Sequence, residues 1–317
     1  MPTHPEQMWR AQVALAPDRL AFAAAEASGP VLVGAQTTWV EDNIGRWIPG
    51  EDVEHANRLG IVEWHTALIS WADGGVIQIS RDGQFWSSAT VQPDEGNPSD
   101  VVPFGDQLVL LGEGTRHRVG AWRSADASTW TRVERSPMGM NAGAFLAGRG
   151  IVAVGWSGTN AAAWISSDAL AWTPLGFPQP PGAVRSALTR VAAGEARVVA
   201  IGDVDGAAAV WSTDDLATWT RSAALGGDDT FLSSVAYGRG LFVIAGRSRG
   251  RPAIWESADG RLWSSVALPV AAGLSGEASD TTIEAGRLVV FGWATEDAGN
   301  GGTSRTAYLV WTLDSSR

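Results

Sequence analysis

The sequence predicts an all-β fold, a seven-bladed β-propeller of four-stranded antiparallel blades. Three observations carry that expectation. A nine-residue frame bracketed by tryptophans recurs along the chain. Its closing tryptophans, at 9, 47, 86, 130, 172, 219 and 263, lie 38 to 47 residues apart, the period of a four-stranded blade. A strand at the N-terminus also supplies the half-repeat that the C-terminus lacks.

The frame reads W-x-[ST]-x-D-x-x-x-W in WRSADASTW (122–130), WISSDALAW (164–172), WSTDDLATW (211–219) and WESADGRLW (255–263). QISRDGQFW (78–86) lacks the first tryptophan. WVEDNIGRW (39–47) keeps both but replaces the serine and the aspartate. Trp311 opens a seventh frame, which ends before its second tryptophan. The strand from Trp9 has no partner before it, so it is expected to complete the blade begun at Trp311 and close the ring without a free edge. The expected blades are 18–52, 58–92, 99–135, 141–176, 186–224, 229–268 and 279–317 with 8–14, one domain over 1–317. Short β-branched and apolar runs between glycine-rich turns argue for strands throughout.

The pairs Ser80 and Asp82, Ser124 and Asp126, Ser166 and Asp168, Thr213 and Asp215, and Ser257 and Asp259 resemble the Asp-box, or BNR, repeat of sialidase-like propellers. That repeat reads S-x-D-x-G-x-x-W, and here each tryptophan arrives one residue early. The resemblance implies the propeller fold and a structural role for these residues. An aspartate in a tight turn accepts backbone N–H bonds, and the tryptophan lies against the neighbouring sheet. Sialidase chemistry is not expected. It needs a nucleophilic tyrosine, and Tyr237 and Tyr308, the only two, belong to strands away from the expected ligand rim.

Composition narrows the function classes. The 317 residues carry a net charge of -11, which disfavours nucleic acid and anionic membrane surfaces as partners. All 23 basic residues are arginine, so lysine nucleophiles are excluded, and without cysteine there is no disulfide or thiolate. Four histidines make a multi-histidine metal site improbable, and neither metal nor cofactor is expected. The start shows no basic region followed by an apolar run, so a cytoplasmic monomer is expected, or a secreted one if a leader is removed.

The frames, with Trp9, account for 13 of the 17 tryptophans. Of the remaining four, Trp71, Trp156 and Trp293 are placed at one repeat position, just after the second strand, with Ala35, Glu113, Asp203 and Arg247 as the equivalents in other blades. The residue before that position is glycine in every blade but one, where Ser70 is taken as its equivalent. Longer connections such as 48–58, 92–99, 176–186, 269–279 and 294–305 emerge on the same rim, opposite the Ser-x-Asp turns, where binding and catalysis concentrate. The candidate ligand-binding set is therefore Trp71, Glu113, His117, Trp156, Asp203, Arg247, Trp293 and His55. Indoles among carboxylates and arginines suit a small molecule, a glycan or a protein segment. The main expectation is a binding propeller. The alternative is a non-sialidase enzyme, a hydrolase, lyase, cyclase or isomerase, with Glu113 and Asp203 as acid and base.

Overall fold

The computed structural model describes residues 9–14, 20–26, 29–34, 37–41, 47–52, 58–90, 97–114, 119–268, 274–284, 287–296 and 305–313. Among these residues the strands form four-stranded antiparallel sheets spanning 20–52, 58–90, 97–132, 140–175, 186–221 and 231–266, here blades one to six. A further sheet joins Ser275–Glu284, Arg287–Glu296 and Arg305–Leu313 to the N-terminal strand Trp9–Ala14. Trp9 faces Leu313 in that pairing and Ala14 faces Tyr308.

The expected count of seven blades is corrected to six that are each contiguous in sequence. Six blades are uninterrupted runs of four strands, and the remaining sheet, blade seven, is a composite of the two chain ends. The strand opened by Trp9 precedes blade one and pairs backward with the last strand, as the half-repeat at the N-terminus predicts. The innermost strand of each sheet packs on the innermost strand of the next, and Ser275–Glu284 packs on Leu20–Glu26, so the ring closes. Among the described residues no helix is long and apolar enough to cross a membrane.

The core lies between blades rather than within one. Val101, Leu108, Leu110, Trp122 and Trp130 of blade three pack on Ile69, Trp71 and Ile77 of blade two. The same layering recurs between blades four and five, where Trp211 and Trp219 close over Val152, Val154 and Ala163, and between six and seven around Trp311. The opening tryptophans 39, 122, 164, 211, 255 and 311 are all buried. Each ring removes a large apolar area from water at a boundary between sheets.

The Ser-x-Asp turns have the expected local chemistry. In all five the hydroxyl donates to the aspartate Oδ1 at 3.0–3.1 Å. The same oxygen accepts the N–H groups two and three residues on, such as Ser128 and Thr129 for Asp126, at 2.8 and 2.6 Å. The intervening residue is left-handed whether it is Gly83, Ala127, Ala169, Leu216 or Gly260. The carboxylate bonds therefore hold a conformation that costs a non-glycine residue about 1 kcal/mol.

These bonds favour the ionised form. The amides of Thr129 and Ser128 hold Asp126 below the usual carboxylate range, and those of Ala171 and Leu170 do the same for Asp168. The amides of Thr218 and Ala217 bring Asp215 to about 2. At Asp82 and Asp259 partial burial opposes the shift, but the amide and hydroxyl donors together overcome it. A carboxylate with a depressed folded pKa stabilises the protein above its unfolded value of about 4. That contribution is lost as pH falls through the folded value. The urea midpoint is therefore expected to drop between pH 4 and pH 2, with Asp126→Asn reducing the slope. A midpoint that is flat over this window would contradict the turn assignment. Asp100, pushed upward by burial, acts in the opposite sense and offsets part of the loss.

Candidate functional site

A β-bulge in the innermost strand of every blade builds the rim opposite the Ser-x-Asp turns. The register shifts by one residue between Leu20 and Phe22, Arg58 and Gly60, Pro98 and Asp100, Met140 and Ala142, Leu188 and Arg190, Leu232 and Ser234, and Ala278 and Asp280. Each bulge carries a first-strand carbonyl across the end of the second strand. A Cβ at Gly112, Gly155, Gly202, Gly246 or Gly292 would lie 1.8–2.3 Å from such a carbonyl oxygen. Close backbone approach is thus the reason for the near-constant glycine.

The bulge also reassigns Trp71. The residue paired with Arg58 just before the bulge of blade two is Ala72, so Ala72 and not Ser70 is the counterpart of those glycines. Trp71 then corresponds to Leu111, Val154, Ile201, Ala245 and Phe291, all buried core positions. It is 5% exposed, and its indole N–H donates to the Ser99 carbonyl of blade three at 3.2 Å. Its ring fills the space above Gly60, where a Cβ would lie 2.0 Å from Cζ2. Trp71 belongs to the core, and the rim residue of blade two is Asp73.

Glu113, Trp156, Asp203, Arg247 and Trp293 do share the rim position, each directly after the rim glycine, and all are half-buried. Strand alternation places each on the face turned towards the following blade, and Trp156 meets blade five. His55 and His117 lie outside the described residues. His65 sits in the left-handed turn after Trp64, its ring 4.4 Å from the Trp64 ring and 4.0 Å from Asp106.

One cleft on this rim, about 340 Å³, opens between blades four and five. Its lining is Trp156, Gly158, Thr159, Arg185, Ser186 and Ala187. The Trp156 backbone is held from below, since its amide N–H donates to the Gly139 carbonyl at 3.0 Å. A Cβ on Gly139, which is left-handed, would meet the Trp156 carbonyl at 2.2 Å. The facing wall is equally constrained. Ser186 Oγ accepts the Ala161 N–H and donates to Gln179 Oε1, both at 2.9 Å, and Ser186 N–H donates to the Thr159 carbonyl. Asp205 Oδ1 accepts the N–H groups of Val184 and Arg185 at 3.0 and 2.8 Å, pinning the end of the 176–186 connection.

Arg185 links two of the sequence candidates. It lines the cleft beside Trp156, and its guanidinium lies 3.6 Å from Asp203 Oδ1, which also accepts the Gly206 N–H. Glu113, in blade three, is not part of this lining, nor are Asp203, Arg247 and Trp293. The sequence reading passed over Arg185 and Asp205; the signal for Arg185 was the long 176–186 connection itself. It also passed over the residues just after the bulges, which tie blades together at the axis. Asp100 Oδ2 accepts the Gly143 N–H of blade four at 2.8 Å, and Ser234 donates to Asp280 of blade seven at 2.8 Å.

Radially arranged four-stranded sheets with a sealed ring decide the architecture. The chain is a β-propeller. No protein-family model matches the sequence, and no curated protein matches it. Among solved structures it resembles YCF48 bound to a D1 peptide, at 16% identity and a TM-score of 0.69, over 100% of this chain and 99% of that one. It also resembles the virginiamycin B lyase of Staphylococcus aureus, at 8% identity and 0.72, over 97% and 100%. The WD40 propeller domain of Doa1 matches at 11% and 0.63, over 98% of each chain. At these identities the propellers share a fold, and the fold alone does not transfer function. Among the described residues no three histidine, aspartate or glutamate side chains gather as metal ligands.

Proposed function

We propose that this propeller is a binding module that takes up a small molecule or glycan on its loop-rich rim, in the cleft between blades four and five. The observation that carries the reading is a half-buried indole, Trp156, facing a loop pinned at both Asp205 and Ser186 across about 340 Å³. That volume falls within the range of small-ligand sites, and a rigid wall reduces the entropy lost on binding. An indole face suits a sugar ring or an aromatic plane, while Thr159 and Arg185 supply the directional polar groups.

Two propellers of similar fold are YCF48, bound to a D1 peptide, and a virginiamycin B lyase, so the fold accommodates both binding and catalysis. The acid–base alternative gains nothing from the arrangement of this chain. Glu113 lies outside the lining of the cleft, and the Asp203 carboxylate is shared between Arg185 and Gly206. The test is a thermal-shift screen against saccharides and ring-bearing metabolites, repeated on Trp156→Ala. Hits on the native chain are expected to weaken at least tenfold in the variant, with its melting temperature little changed. Hits retained at full affinity would place binding elsewhere.

A further inference from the structure

Resting on that reading, we propose that the cleft selects ligands carrying a carboxylate next to a flat ring, and that Arg185 is the residue that reads the acid. Arg185 is the only charged side chain among the six lining residues. Its side chain is 66% exposed, and its one ionic contact among the described residues, to Asp203 at 3.6 Å, is longer than a hydrogen bond. Asp205 does not compete for it, because its oxygens are held by the Val184 and Arg185 amides. Those bonds also fix the point from which the Arg185 side chain leaves the loop.

A planar guanidinium presents two parallel N–H donors that match a carboxylate. The Trp156 face, as the opposite wall, accepts the ring to which the acid is attached. A cationic ligand fits less well, since it would need Asp203, which already faces Arg185. The molecule carries -11 overall, so an anion is drawn to this cleft by the local arginine and not by the general field. Screening confines the general repulsion to about 8–10 Å at physiological salt.

The experiment is isothermal titration of the full chain with four probes: 1-naphthylacetate, 1-naphthylmethylamine, glucuronate and glucose. The acids are expected to bind at least tenfold more tightly than their uncharged or cationic counterparts. Arg185→Gln should remove that preference, while Arg185→Lys keeps part of it. Asp203→Asn, which frees the guanidinium, should tighten acid binding a few-fold. The naphthyl and sugar arms distinguish an aromatic acid from a uronic sugar.

Equal or stronger binding of the amine, or an unchanged acid preference in Arg185→Gln, would overturn the carboxylate assignment and leave the cleft as a binding site. Binding of every probe unaffected by Trp156→Ala, or no binding at all, would overturn both readings. Because Arg185 is largely exposed, its variants are expected to unfold at the native temperature, so lost affinity reports recognition.

Discussion

Trp71→Ala is expected to lower the free energy of unfolding by about 3–5 kcal/mol, the cost of a large-to-small change at a buried aromatic position. The ring is 5% exposed and packs among Ile69, Ile77, Val101, Trp122 and Trp130 at the boundary of blades two and three. Removing it also leaves the Ser99 carbonyl without its indole donor. Gly60 has no side chain with which to refill the space. Urea unfolding followed by tryptophan fluorescence measures the loss. Trp156→Ala on the same assay is expected to change stability by less than about 1 kcal/mol, since that ring is only half-buried. Similar losses for the two variants would contradict the division between a core indole and a site indole.

Gly155→Ala carries the second large effect, about 2–4 kcal/mol. The added Cβ would stand 1.8 Å from the Gly139 carbonyl oxygen, a backbone atom that no rotamer change can move aside. Relief requires the bulge at Met140–Ala142 to shift, and the same carbonyl accepts the Trp156 N–H. The variant should therefore lose stability and disturb the cleft together. Gly176→Ala is the control, since a Cβ there meets nothing within 4 Å. Equal melting temperatures for Gly155→Ala and the native chain would show that the bulge is softer than its geometry implies.

The sequence made the repeat legible because the Ser-x-Asp turn is a local device. Its bonds span two or three residues, so the pattern survives from blade to blade. The tryptophans were legible for the same reason, with each opener occupying one register position against its own second strand. Trp71 was misplaced because the bulge at Leu59 is not visible in composition. Ser70 stood where a glycine was sought, and only the register moves the equivalence to Ala72. Glu113 and Asp203 looked like a pair because they share a repeat position. In a ring, a shared position means different blades, here three and five, and each residue faces a different neighbour. Arg185 escaped notice because it has no repeat counterpart; its role comes from the loop that Asp205 and Ser186 hold in place.

The central claim is that ligand meets the rim at Trp156. The 17 indole N–H groups each give one resonance in a nitrogen–proton correlation spectrum, and Trp156→Phe identifies one of them by its disappearance. Titrating the native chain with 1-naphthylacetate is expected to shift the Trp156 signal saturably while leaving the Trp71 signal in place. A Trp156 resonance that stays fixed while other indoles shift would contradict the account.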